Sequence, residues 1–168
     1  MKNLLLFGVI AFVVVLFTGC NNVSRFPIDD PARIKIDNTL LGKWHLKEDT
    51  DRNNYFLIKK KDDYHYFFTY MNRGGTYRVY ENFDGFLSKV NNSRFLNITY
   101  WHEEVTGYIL VRLLEVSESG DEITTTNIAD TTLMEIKNPA EVRAKIGRNL
   151  GNPNFFRDTA HFEKIKGF

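Results

Sequence analysis

The sequence predicts a mainly β domain, an antiparallel meander closed as a barrel or folded as a sandwich, with one C-terminal helix. Three observations predict it. Short stretches of alternating or fully apolar residues recur at regular spacing, roughly eight or nine of them, separated by turn residues. Aromatic residues make up 14% of the chain, with 14 Phe and 8 Tyr, a richness that suits strands around a sizeable apolar interior. The period switches to a helical one only once, after Asn138-Pro139.

In chain order, the domain begins over 39–168, at Leu40-Leu41-Gly42-Lys43-Trp44. Trp44-His45-Leu46-Lys47 alternates apolar and polar. Tyr55–Ile58 is apolar and runs into Lys59-Lys60-Lys61, with Asp62-Asp63 as a turn. Tyr64–Met71 is aromatic on both faces, which predicts burial on both sides or a ligand or partner on one. Asn72-Arg73-Gly74-Gly75 is a hairpin turn, and Thr76–Tyr80 alternates again. Phe83–Val90 fits a strand or a helical turn, since Phe83, Phe86, Leu87 and Val90 also match helical spacing. Asn91-Asn92-Ser93 is a turn. Phe95–Trp101 and Gly107–Val116 alternate as strands, Ser117–Asp121 is a turn, and Ile123–Ile128 is a Thr-rich strand. Asn138 is then an N-cap with Pro139 at the first helical position. Val142, Ile146 and Leu150 fall on one face of a helix over 139–150, which Gly151 stops. Ala160–Ile165 is the last strand.

Ahead of the domain, Met1-Lys2-Asn3, an apolar block over Leu4–Phe17 and Thr18-Gly19-Cys20 have the layout of a secretory signal over 1–19. The block is about 14 residues long, short of the roughly 20 that span a bilayer as a helix. Phe17-Thr18-Gly19-Cys20 resembles a bacterial lipobox, with Phe17 where Leu is usual. The resemblance implies cleavage before Cys20 and acylation of its thiol, hence membrane attachment. Residues 20–38, polar and holding Pro27 and Pro31, read as a tether. The other arrangement is an arm packed on the domain, with Phe26, Ile28, Ile34 and Ile36 docking as an edge. Asn21-Asn22 lacks the Asp that favours inner-membrane retention in some bacteria, which points to the outer membrane.

Cys20 is the only cysteine, so the mature domain has no internal disulfide and holds together by packing. The formal net charge is +1, which gives no basic face of the kind nucleic acid demands. Nucleophilic catalysis finds no motif, and phosphate cradles are absent because Gly74-Gly75 has no following helix. The acids of Glu103-Glu104 and Asp62-Asp63 are adjacent, so on strands they point to opposite faces. His45, His65, His102 and His161 stand far apart; His102-Glu103-Glu104 lacks the second histidine a zinc helix needs. No catalytic residue, metal or cofactor is expected. Lys59–Lys61, the one basic run, suits either anionic headgroups or a solvated strand end.

Leu41-Gly42-Lys43-Trp44 resembles the opening of the lipocalin and calycin group, whose first barrel strand starts with Gly-x-Trp. That resemblance implies that Trp44 closes one end of a barrel and that a basic residue near the last strand packs on it, with Arg157 and Lys164 as candidates. The expected function is an envelope lipoprotein that binds a small apolar or amphipathic ligand, with Trp44 as plug and Tyr66, Phe68 and Tyr77 lining the cavity. The alternative is a protein-interaction or inhibitor lipoprotein, of the immunity or envelope-assembly type, in which the aromatics fill a packed core. An open interior separates the first from the second.

Overall fold

The computed structural model describes residues 23–50, 54–72, 79–102 and 105–166. It contains nine strands: β1 (Val23–Ser24), β2 (Gly42–Leu46), β3 (Tyr55–Lys60), β4 (His65–Asn72), β5 (Val79–Val90), β6 (Ser93–His102), β7 (Val105–Val116), β8 (Glu122–Ile128) and β9 (Phe156–Lys164). One helix, α1 (Pro139–Asn149), lies between β8 and β9. Strands β2 to β9 form a closed antiparallel meander. Each pairs with the next, and β9 returns to β2 through Trp44↔Lys164, His45↔Glu163 and Leu46↔Phe162. The ring is a barrel rather than a sandwich. Near its start β7 has β1 as neighbour, at Val23↔Ile109 and Ser24↔Tyr108; from Val111 on it has β8. β1 therefore fills the gap where β7 and β8 part, covering an edge that would otherwise expose backbone groups.

Two cores sit on the two sides of this wall. Inside the barrel, Trp44, Ile58, Tyr66, Phe68, Leu87, Leu96, Leu113 and Ile123 pack as one cluster. Outside, Val90, Phe95, Leu110 and Ile128 of the strands meet Val142 and Ile146 of α1, together with Ile28, Leu133, Ile136 and Phe155. Each fully buried side chain of this size contributes about 1.5–3 kcal/mol relative to exposure.

This double burial resolves the ambiguous stretch. Phe83–Val90 is strand throughout, within β5 and paired on both sides. Phe83 and Leu87 face the inner core while Val90 faces the outer one. A strand apolar on both faces matches helical spacing by coincidence. The helix starts as expected: Asn138 Oδ1 accepts from the Glu141 N–H at 3.0 Å. At its far end the Leu150 carbonyl accepts from Arg112. The last strand starts earlier than expected, at Phe156, because the short 3-10 turn Pro153–Phe155 delivers Phe155 into the outer core.

The stretch read as a tether is packed from Val23 onward. Ile28 is buried, and its N–H donates to Asn97 Oδ1 at 2.8 Å. Asp29 pairs with Arg143 of α1 at 2.5 Å. Ile34 and Ile36 then pack on the inner cluster, and the Ile36 N–H donates to the Asp63 carbonyl. Enough apolar side chains lie in the segment, each with a groove to fill, to offset the entropy of ordering it. The arrangement is the packed arm that the sequence left open beside the tether.

Candidate functional site

One end of the barrel is closed. The closed end is built from the arm and a 3-10 turn at Asn38–Leu40. Asp37 caps that turn, its carboxylate accepting from the Thr39 N–H and hydroxyl. Its second oxygen takes an Arg94 guanidinium N–H at 2.6 Å. Burial works to raise the Asp37 pKa, but the hydrogen bonds from Thr39 and the charge of Arg94 outweigh it, and the carboxyl lies below the ordinary aspartate range. The Asp37 N–H donates to the Tyr66 hydroxyl at 2.6 Å. Leu40, delivered by the same turn, is buried in the inner core.

Trp44 is 1% exposed. Its indole N–H donates to the Leu40 carbonyl at 2.8 Å. Lys164 Nζ sits 4.7 Å from its ring centroid and also donates to the Thr39 carbonyl. Of the two basic candidates near the last strand, Lys164 is thus the one that packs on Trp44. Arg157 lies toward the other end of β9 and pairs with Asp158.

Tyr66 and Phe68 are brought together on β4, ring centroids 5.9 Å apart, both in the inner cluster. Tyr66 is 0% exposed. Its hydroxyl is engaged by Asp37, and burial pushes its pKa up to about 12. The interior around Phe68 is filled to the backbone: a Cβ on Gly85 of β5 would stand 2.8 Å from the Phe68 ring and 2.7 Å from the Asn97 carbonyl oxygen. Gly85 leaves Phe68 the space a side chain would take. Tyr77 and Cys20 lie outside the described residues.

Toward the other end of the barrel, Leu46, Asp49, Asn54, Tyr55, Phe56, Tyr70 and Phe162 line a hollow of about 10 Å³, room for about one water molecule. Phe56 lies between Tyr70 and Phe162, at centroid distances of 5.0 and 6.1 Å. Asn54 Nδ2 donates to Asp49, and Asn54 Oδ1 is buried with no hydrogen-bond partner.

The histidines whose side chains are described each serve locally. His45 Nδ1 lies 2.6 Å from the Leu46 carbonyl, His65 engages Asp62, and His161 meets Thr124. Among the described residues no three His, Cys, Asp or Glu side chains converge. The basic run is divided: Lys60 pairs with Asp63 and Lys61 with Asp84, and Lys59 is exposed.

Sequence reasoning missed Asp37, Arg94 and Asn97. Asp37-Asn38-Thr39 carried a usable signal, an Asx-type cap two residues before a Thr. Asn97 carried none; in the sequence it is one polar residue in an alternating strand. Comparison with protein families, with characterised proteins and with solved structures finds no match for this chain.

Proposed function

We propose that this chain is a bacterial cell-envelope lipoprotein, anchored through an acylated Cys20 and favouring the outer membrane, whose barrel is a non-enzymatic scaffold for a protein partner. The observation that carries this reading is the close packing of the inner cluster around Phe68. A carrier pocket for a small molecule measures roughly 300–1,000 Å³. Here Trp44, Tyr66, Phe68 and Leu87 are packed together inside the barrel, and Gly85 leaves no room for a methyl group. With this inner cluster given to stability, recognition falls to the surface. Kinship with the lipocalin group is part of the proposal, and Lys164 over Trp44 supports it.

A second reading, a small apolar or amphipathic ligand, is favoured by the aromatic hollow between Phe56, Tyr70 and Phe162. Native mass spectrometry on residues 21–168, purified gently and compared with a denatured sample, tests the two. A bare mass together with no uptake from a lipid screen supports the scaffold. Extra mass lost on denaturation, and lost again on Phe56→Ala, overturns it in favour of a carrier.

A further inference from the structure

We infer that the mature domain is seated directly on the bilayer, by the flank where β1, the start of β7 and the 3-10 turn Thr131–Glu135 meet. The inference rests on the lipoprotein reading above and goes beyond it by assigning the surface that meets the lipid. Only Asn21 and Asn22 separate Cys20 from Val23. Three residue steps span at most about 11 Å even when fully extended. Whatever path those residues take, Val23 lies within that distance of the backbone of the acylated Cys20.

Val23 is itself held to the barrel wall. It is buried and paired with Ile109 of β7. The arm lies there because Gly107 has no side chain: a Cβ would stand 2.5 Å from the Ser24 carbonyl oxygen and 2.6 Å from Val23 Cγ1. On its other side β1 packs against the Thr131–Glu135 turn. Further along, the Asn97 bond to Ile28 and the Asp29–Arg143 pair prevent the arm from paying out as slack. A short anchor joined to a fixed arm leaves the domain little freedom to tumble away from the surface.

The flank suits a lipid surface. Met134, on the 3-10 turn beside β1, is one of three large apolar side chains exposed among the described residues, at 37%. Arg25, directly after β1, is exposed and lies over the Phe26 ring at 5.9 Å. A cation and an apolar side chain next to an anchor match an anionic headgroup layer over acyl chains. In the ring of eight strands, β3 is four places from β7 whichever way one counts. Its exposed Lys59 is therefore across the barrel, roughly 16 Å of backbone diameter further from the lipid, taking about 4.8 Å per strand and a tilt of about 40°. The basic run Lys59–Lys61 then faces away from the membrane, and the headgroup role considered for it falls to Arg25.

The test uses the acylated full-length product in vesicles of phosphatidylcholine and phosphatidylglycerol doped with a headgroup-quencher lipid. Acylation occupies the one native thiol, so Met134→Cys and Lys59→Cys each carry a single fluorophore. The expected result is quenching several-fold stronger at position 134 than at 59. Inserting about twelve Gly/Ser residues between Asn22 and Val23, which adds roughly 20 Å of reach, should remove the difference. Equal quenching without the spacer, or stronger quenching at 59, overturns the seating while leaving the anchor intact. A mature mass with an unmodified Cys20 overturns the anchor and the seating together.

Discussion

Asn97 is the residue whose removal should cost the most for its size. It is 0% exposed on β6. Its Oδ1 accepts from the Ile28 N–H at 2.8 Å, and its Nδ2 donates to Ser88 Oγ at 2.9 Å and to the Phe86 carbonyl at 3.2 Å. Asn97→Ala leaves the Ile28 N–H buried without its acceptor, and such an orphan costs about 1–3 kcal/mol. Ser88 can turn its hydroxyl elsewhere, so its loss is nearer the ordinary net value of about 1 kcal/mol. Together the loss should be about 2–4 kcal/mol, a large share of the 5–15 kcal/mol typical of a domain. Urea denaturation of the 21–168 fragment would read this as a lower midpoint at constant slope. Because the Ile28 bond holds the arm, proteolysis near residues 25–33 should rise more than the global loss explains. Asn97→Asp separates the parts. It keeps the acceptor for Ile28 but turns the donor into an oxygen facing the Phe86 carbonyl, with the Ser88 hydroxyl able to turn and donate to it, and it should be destabilising at neutral pH and recover as the acid is protonated. A loss under about 0.5 kcal/mol for Asn97→Ala, within the range of neutral surface changes, would refute the assignment of Asn97 as the clasp of the arm.

Other outcomes follow from the same geometry. Gly85→Ala should destabilise by about 1–3 kcal/mol through overpacking against Phe68, and a Gly85→Ala/Phe68→Leu double variant should recover part of it; denaturation midpoints check both. A double-mutant cycle of Trp44→Phe and Lys164→Met should give a coupling of about 0.5–1 kcal/mol for the cation over the indole; zero coupling would mean the contact is incidental. The lowered pKa of Asp37 means its contribution is present above the ordinary aspartate pKa and is lost as pH falls through the lower folded value. Asp37→Asn should therefore weaken the protein at pH 7 and flatten the acid limb of its stability profile. Tyr66 works at the other extreme. Its folded pKa, raised to about 12, gives stability that is full below the phenol's ordinary pKa of 10 and declines as pH rises toward 12; Tyr66→Phe should shed that alkaline decline in a spectroscopic titration.

The parts of the fold readable in the sequence were those with local causes. Alternation marked Phe95–Trp101 and Gly107–Val116, and Asn138-Pro139 marked the helix through its cap. Closure was not readable, because β2 pairs with β9 through Trp44 and Lys164, residues far apart in the chain with no local sign of each other. The arm stayed undecided against the tether for another reason. Phe26 and Ile28 serve the outer core while Ile34 and Ile36 serve the inner one, so the segment has no single period. At the candidate site, the Gly-x-Trp resemblance pointed to Trp44 and to Lys164 as one of two possible partners. Tyr66 was picked out as an aromatic facing a cavity. What decides its role is the Asp37 N–H on its hydroxyl, and only the folded chain places Asp37 there.

Closure of the ring by its first and last strands has a consequence for when the chain can fold. The pairs that lock the barrel join its extremes: Trp44 with Lys164, His45 with Glu163, Leu46 with Phe162. Contacts this distant in sequence form slowly, since the loop entropy must be met before any of them contributes. A chain synthesised from its N-terminus cannot complete the ring until Phe156–Lys164 has emerged. Early closure is thereby prevented by topology alone, and β8 and β2 wait with open edges for their common partner. Loss of Phe156–Lys164 would leave β2 and β8 both unpaired on one side and the ring open.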